Sequence, residues 1–163
     1  MKILGVDPGL NRCGYAVLEV CERGEHLLEA GVIRTDMGCS LESRLVQIAE
    51  DFSLLLEKFI PDWVAVEELY AHYRHPRTAI LMGHARGVIL MQAAAAGASV
   101  KSYSATRIKK SLTGNGRAGK QQIQRAIQTL LALPRFPEPP DVADAIAAAL
   151  CCANEQNRVK QSL

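Results

Sequence analysis

The chain predicts an α/β fold built on a mixed sheet, and three observations point there. Residues 1–35 read as three strands joined by short turns, which sets up an antiparallel meander. Beyond residue 40, helical periodicity alternates with two short apolar runs, Trp63 to Val66 and Ala98 to Ser102, as expected of strands that return through helices. Two apolar segments end in acid, Asp7 after Met1 to Val6 and Glu67-Glu68 after Val66, and ligands gather at the carboxyl ends of strands in α/β sheets.

Met1 to Val6 is a buried strand closed by the turn Asp7-Pro8-Gly9. Cys13 to Val20 is β-rich, Glu22 to Glu25 turns the chain, and His26 to Thr35 returns it. Ser40 is placed as an N-cap, and Leu41, Leu45, Ile48, Phe52, Leu55, Leu56 and Phe59 recur at the spacing of an amphipathic helix that ends near Ile60-Pro61. Arg77 to Ala96 is a long helix with Gly97 at its carboxyl end. Its face around Met82, Ile89, Leu90 and Met91 reads as core, with a dimer contact as the alternative. Ser104 to Leu112 is a short helix, Thr113 to Gly119 a flexible basic loop, and Lys120 to Leu133 the next helix. Four prolines between Pro134 and Pro140 break it, and a last helix runs from Asp141 through Asn154.

The 163 residues, 48% hydrophobic and 22% charged, suit one soluble domain over residues 1–156 with a flexible tail over 157–163. A chain of this length buries about 70% of its unfolded surface, enough to dispense with disulfides or a structural metal. The apolar run Gly87 to Val100 is broken by Gln92 and falls short of the ~20 residues that cross a bilayer. Asp7 stands where a signal peptide would still be apolar, so no membrane association and a cytoplasmic location are expected. Five scattered cysteines with no C-x-x-C spacing read as reduced thiols.

The net charge of +2 conceals a strong polarity. From Leu69 to Pro137 there is no Asp or Glu, while Arg74, Arg77, Arg86, Lys101, Arg107, Lys109, Lys110, Arg117, Lys120, Arg125 and Arg135 are all basic. His72, His75 and His84 lie in the same stretch. Such a segment is expected to face a polyanion.

Asp7, Glu67 or Glu68, Asp141 and Asp144 are the acids that could carry chemistry. Asp141 and Asp144 are three apart, hence on one helical face at its amino end, where the helix dipole favours them. Glu67 and Glu68 point to opposite faces of a strand, so one of them can join a cluster, and periodicity does not choose between them. Glu138, among prolines, reads as a loop acid. A cluster of carboxylates repels itself, and hard divalent cations, Mg²⁺ or Mn²⁺, relieve it. Two such ions could activate water and stabilise the leaving oxygen in phosphodiester hydrolysis.

Gly5-Val6-Asp7-Pro8-Gly9 with Gly14-Tyr15-Ala16, then Ala65-Val66-Glu67, Gly83-His84-Ala85-Arg86-Gly87, the Lys109 to Lys120 loop and Asp141-Val142-Ala143-Asp144-Ala145 together resemble the RuvC family of Holliday junction resolvases. The resemblance covers nearly the whole chain. It implies a ribonuclease H-like fold, a mixed five-stranded sheet flanked by helices. It implies a homodimer that binds a four-way DNA junction and nicks two strands of like polarity during recombination and repair, with RuvA and RuvB as branch-migration partners. By the same resemblance Asp7, Glu67, Asp141 and Asp144 are the catalytic acids and hold Mg²⁺, two ions per subunit, with Mn²⁺ able to substitute; this selects Glu67 over Glu68. Lys109 and the catalytic Lys120 match lysines near the scissile phosphate, and Tyr70 an aromatic that stacks on a base. Arg74, Arg77, Lys110 and Arg117 would bind phosphates.

The segment Tyr70 to Arg77 departs from the family in its histidines and in being one residue longer. Two rival readings are a YqgF-like RNA-processing nuclease, which shares the opening D-x-G, and a non-catalytic branched-DNA-binding module. Four apposed acids have no purpose in the second, since carboxylates near phosphate weaken binding unless metal intervenes.

Overall fold

The computed structural model describes residues 1–69 and 76–161. In chain order the elements are β1 (Lys2–Asp7), β2 (Arg12–Cys21), β3 (Gly24–Arg34), α1 (Leu41–Phe59), β4 (Trp63–Glu67), α2 (Pro76–Ala95), β5 (Ser99–Tyr103), α3 (Ala105–Thr113), α4 (Lys120–Leu130) and α5 (Pro140–Gln161). The five strands form one sheet in the order β3-β2-β1-β4-β5. β1, β2 and β3 are an antiparallel meander, while β4 pairs parallel to β1 and β5 parallel to β4. The sheet is thus mixed, as the alternation of strand and helix predicts.

The pleat divides the core into two layers. Leu4, Val6, Val64 and Val66 point to one face, where Ile48, Phe52, Leu55 and Leu56 of α1 and Ala85, Ile89 and Ala93 of α2 cover them. Ile3 and Ala65 point to the other, beneath α5, with Ile108 of α3 and Ile123 and Ile127 of α4 completing that layer. Along α2, Ile89 joins the core and Met91 is 59% exposed, so the two residues expected on one face lie on different ones.

Local chemistry accounts for most boundaries. Ser40 Oγ accepts from the Ser43 amide at the start of α1, and Ile60, in the left-handed region at φ 47°, ends it before Pro61. Ser104 caps α3 and Gly114 terminates it at φ 76°. α4 stops at Leu130 rather than Leu133, because Ala132 at φ 49° turns the chain out of the helix ahead of Pro134. α5 runs past Asn154 to Gln161, so residues 157–161 are helical rather than a loose tail. Its extension is tied down from both sides: the Tyr103 hydroxyl donates to Glu155 at 2.6 Å, Arg107 pairs with Glu155 at 3.2 Å, and Asn157 donates to Glu25 at 3.1 Å.

Two glycines let α5 lie close on the sheet. A Cβ on Gly5 would come within 2.1 Å of the Ala145 carbonyl oxygen and 2.8 Å of the Ala149 Cβ. One on Gly14 would come within 2.0 Å of the Asp141 carbonyl oxygen. The stretch Val142 to Ala153 of α5 is buried apart from Asp144. Among the described residues no helix is long and apolar enough to cross a membrane. All five cysteines are free, and burial pushes the Cys13 thiol up to about 12, which leaves it inert.

Gly5→Ala should therefore lower the unfolding free energy by about 1–3 kcal/mol through overpacking against α5. Denaturant unfolding measures it, and an unchanged midpoint would mean that α5 can move away from the sheet at no cost.

Candidate active site

Asp7 ends β1 and Glu67 ends β4, and the parallel register Val6↔Val66 sets their positions side by side. Alternation along β1 puts Asp7 on the face of Ile3 and Gly5, and along β4 it puts Glu67 on the face of Ala65. Both acids therefore project toward α5. Glu68 lies beyond the strand, exposed, with its amide donating to the Tyr103 carbonyl at 2.9 Å. The pleat thus puts Glu67 on the same face of the sheet as Asp7.

Asp7 stands opposite Gly14 in the β1–β2 ladder, and the first turn of α5 rests on Gly14. That contact carries Asp141 over the end of β1, with Asp144 one turn further on the same helical face. Burial, and then the charges of Glu67, Asp144 and Asp141, push the Asp7 carboxyl up to about 8. Burial and Asp144 push Glu67 up to about 7, against the lowering influence of Lys109. Asp144 is also raised, by desolvation first, with Lys120 and Lys109 opposing the charge of Asp141. By surface area Asp144 is exposed, the one such residue between Val142 and Ala153.

The two lysines come from opposite ends of one connection. Lys109 lies on α3, and Lys120 opens α4, where a cation opposes the helix dipole and no acid occupies the first turn. The charge of Asp144 offsets that cost. The loop between them, expected to be flexible, is laced by hydrogen bonds. Thr113 Oγ1 donates to the Lys109 carbonyl at 2.8 Å, the Arg117 amide donates to Asn115 Oδ1 at 2.9 Å, and the Gly119 amide donates to Gln122 Oε1 at 2.8 Å. Ala118 is buried beneath it. Both lysines are so held within electrostatic reach of Asp144, and Lys109 of Glu67 as well.

Of the remaining candidates, Arg77 is exposed at the start of α2, and Lys110 and Arg117 are exposed on α3 and its loop. Tyr70 and Arg74, with His72 and His75, lie outside the described residues. Glu138 is an exposed loop acid beside the prolines, as expected. Among the described residues no three Asp, Glu, His or Cys side chains close on a point as a self-contained metal cage. The donor set is all carboxylate, open on one side, and short of cation. That fits Mg²⁺, which keeps several waters and is bound through one or two carboxylates plus substrate phosphates.

Two further arginines reach the site from the opposite layer. Arg44 of α1 donates to the Leu10 carbonyl at 3.3 Å, to Thr35 Oγ1 at 2.9 Å and to Asn11 Oδ1, gripping the loop that follows Asp7. Arg86 of α2 donates to the Glu67 carbonyl and to Ser102. From sequence, Arg44 has no role and Arg86 counts among the basic residues expected to face a polyanion, whereas the structure turns Arg86 inward onto the strand ends. The available signal was that each falls on the apolar stripe of its helix, Arg44 between Leu41 and Ile48, and Arg86 in step with Ile89 and Ala93.

Comparison with known proteins gives the family. The family described as crossover junction endodeoxyribonuclease RuvC matches residues 3–152. The RuvC of Rhodopirellula baltica is 52% identical over 149 residues, covering 91% of this chain and 84% of that protein. The RuvC of Heliobacterium modesticaldum is 46% identical over 154 residues, covering 94% of each. The structure of Thermus thermophilus RuvC superposes with a TM-score of 0.91 at 31% identity, covering 98% of this chain and 97% of that one. The same protein in complex with a Holliday junction substrate gives 0.92 at 32% identity, covering 98% and 96%. The yeast mitochondrial Holliday junction resolvase, at 15% identity and a TM-score of 0.71 over 98% of this chain and 82% of that one, shares the fold. With residues 3–152 matched by the family and the fold shared over 98% of its length, the chain belongs to the RuvC family of crossover junction endodeoxyribonucleases.

Proposed function

We propose that the chain resolves four-way DNA junctions by metal-dependent hydrolysis of one phosphodiester in each of two strands of like polarity. The observation that carries this reading is the apposition of Asp7, Glu67 and Asp144, each raised by burial and by its acidic neighbours, beside Lys109 and Lys120. Carboxylates in that state favour divalent cations over phosphate, and the lysines favour phosphate. Together they form a place where both can sit.

Asp7, Glu67, Asp141 and Asp144 would hold the metal, two Mg²⁺ per subunit with Mn²⁺ able to replace them. Bound there, the ions supply a water activated for attack and neutralise charge on the phosphodiester oxygens. The protein's own part is to orient. β1 and β4 hold Asp7 and Glu67 in adjacent register, and α5 fixes Asp141 and Asp144 at its amino end. Lys120 is aimed by the start of α4 and would stabilise negative charge developing at the phosphate. Lys109, Lys110, Arg77 and Arg117 would contact the backbone without reading sequence, and Arg74 and Tyr70 would extend that surface, Tyr70 by stacking on a base.

A homodimer supplies the second nick. Its support is the outward stripe of α2, where Ile80 and Met91 are 61% and 59% exposed and Gly87 has open space in front of it. Exposed apolar residues at helical spacing along a helix suit a second copy of the same helix.

Incubating the protein with a synthetic four-way junction or a linear duplex of the same sequence, in Mg²⁺ or in EDTA, tests the reading. Paired nicks near the junction centre, in Mg²⁺ and on the junction alone, are expected. Tight binding without cutting would make the chain a binding module, and indifference to branching would redirect attention to structured RNA.

Asp7→Asn should bind junctions at least as tightly as the wild type and cut them about a thousandfold more slowly, a barrier change of about 4 kcal/mol. Quenched time courses with excess protein measure this, and near-normal cutting would remove Asp7 from the mechanism. Lys120→Ala should slow cutting by about a hundredfold while its junction Kd stays within roughly threefold. An equal loss in both would make Lys120 an anchor.

The raised acids also set a pH dependence. Asp7 keeps its proton in the folded chain up to about 8, whereas in the unfolded chain it ionises near 3.8. Between those values the folded state binds more protons, so stability falls as pH rises. Asp7→Asn removes that titration, and in EDTA its Tm advantage over the wild type should widen from about pH 5 to about pH 8. Adding Mg²⁺ should narrow it, because the cation stabilises the ionised carboxylate. An advantage that stays flat with pH would disprove the coupling.

A further inference from the structure

Arg86 is half-buried on the inward face of α2, with its guanidinium against the ends of two strands. Nη2 donates to Ser102 Oγ of β5 at 2.7 Å, and Nε donates to the Glu67 carbonyl of β4 at 3.4 Å. Among the described residues no carboxylate pairs with it. Holding a cation in such a place without a counter-ion is costly, and an apolar residue would fill it more cheaply. What the guanidinium provides instead is a rigid fork that engages two acceptors at once. A lysine has no such geometry.

The carbonyl it grips belongs to the acid that closes β4. The Glu67 side chain projects toward α5, and Arg86 approaches the same residue's backbone from the opposite layer. On the next peptide, the Glu68 amide is held by the Tyr103 carbonyl. The peptide plane after Glu67 is thus pinned at both its oxygen and its nitrogen, just where the ladder ends and fraying would begin. A carboxylate that must sit within about 0.5 Å of a productive position needs its backbone fixed first.

We propose that Arg86 is a positioning residue for cleavage: by bridging Ser102 and the Glu67 carbonyl it fixes the end of β4 and with it the direction of the Glu67 carboxylate. The inference rests on the reading of Glu67 as an acid of the cleavage site. Because α2 also carries the outward apolar stripe, the same arginine ties the face offered to a second copy to the acid that acts on DNA.

The test compares Arg86→Met, Arg86→Lys and Ser102→Ala with the wild type in three measurements. These are single-turnover cutting in Mg²⁺ at saturating protein, junction Kd in EDTA, and amide exchange in peptides spanning residues 66–69. Arg86→Met should cut at least about tenfold more slowly, as a misplacement of roughly 1 Å would cause, with Kd within about twofold. Exchange over residues 66–69 should quicken while β1 stays protected. Arg86→Lys, with one compact donor, should recover part of the rate, and Ser102→Ala should show a smaller loss in the same direction.

Cutting by Arg86→Met within about twofold of wild type, or a fall in affinity as large as the fall in rate, would overturn the proposal. If Arg86→Met does not fold, Arg86→Lys and Ser102→Ala decide, and normal rates with unchanged exchange in both would overturn it. A wild-type protein that cuts no junction would instead refute the cleavage reading, and the exchange data would still judge whether Arg86 holds the end of β4.

Discussion

The contact between α5 and the β1–β2 hairpin is where the acidic site is assembled. An α-helix normally stands off a sheet by the thickness of two side chains, but here Gly5 and Gly14 present bare backbone and Ala145 and Ala149 present a single methyl each. The helix sinks onto the sheet, and its amino end arrives directly over the residue paired with Asp7. Larger residues at these positions would lift Asp141 and Asp144 away from the strand ends. The nearly unbroken burial of Val142 to Ala153 balances the cost of bringing carboxylates to that edge.

Electrostatics then works against the fold rather than for it. Asp7, Glu67 and Asp144 all hold protons more tightly than free carboxyls do, because burial and mutual repulsion disfavour their charged forms. Lys109 and Lys120 relieve Glu67 and Asp144 only in part. Such a site is an electrostatic deficit that ligands can fill: cations for the acids, and phosphate for the lysines. The acid-free stretch from Leu69 to Pro137 supplies both of these lysines.

The opposite layer has a quieter role. Arg44 and Arg86 come from α1 and α2, and each gives one donor to a backbone oxygen, that of Leu10 beyond β1 or of Glu67 at the end of β4, and others to side-chain oxygens. Neither pairs with a carboxylate among the described residues. Loops that follow catalytic strands lose the ladder that held them, and hydrogen bonds from behind the sheet replace it. The site is therefore built from both faces: side chains from the α5 side, backbone support from the α1 and α2 side.

Much of this could be read from the sequence. Strand and helix succession, the acids at strand ends, the amino-terminal pair on the last helix and the unbroken basic stretch are all local patterns, because periodicity and charge are properties of neighbouring residues. The preference for Glu67 came from resemblance, and its physical ground became visible only when the register of β1 and β4 and the pleat put it on the α5 face and left Glu68 outside. The helical continuation to Gln161 and the roles of Arg44 and Arg86 depend on partners distant in the chain: Glu25, Tyr103, Leu10 and Ser102 among them. The sequence by itself determined which residues carry charge and which segments are strand or helix. Only the tertiary structure decided which of those charges meet, because meeting depends on register, on helix approach and on hydrogen bonds between residues that no local pattern connects.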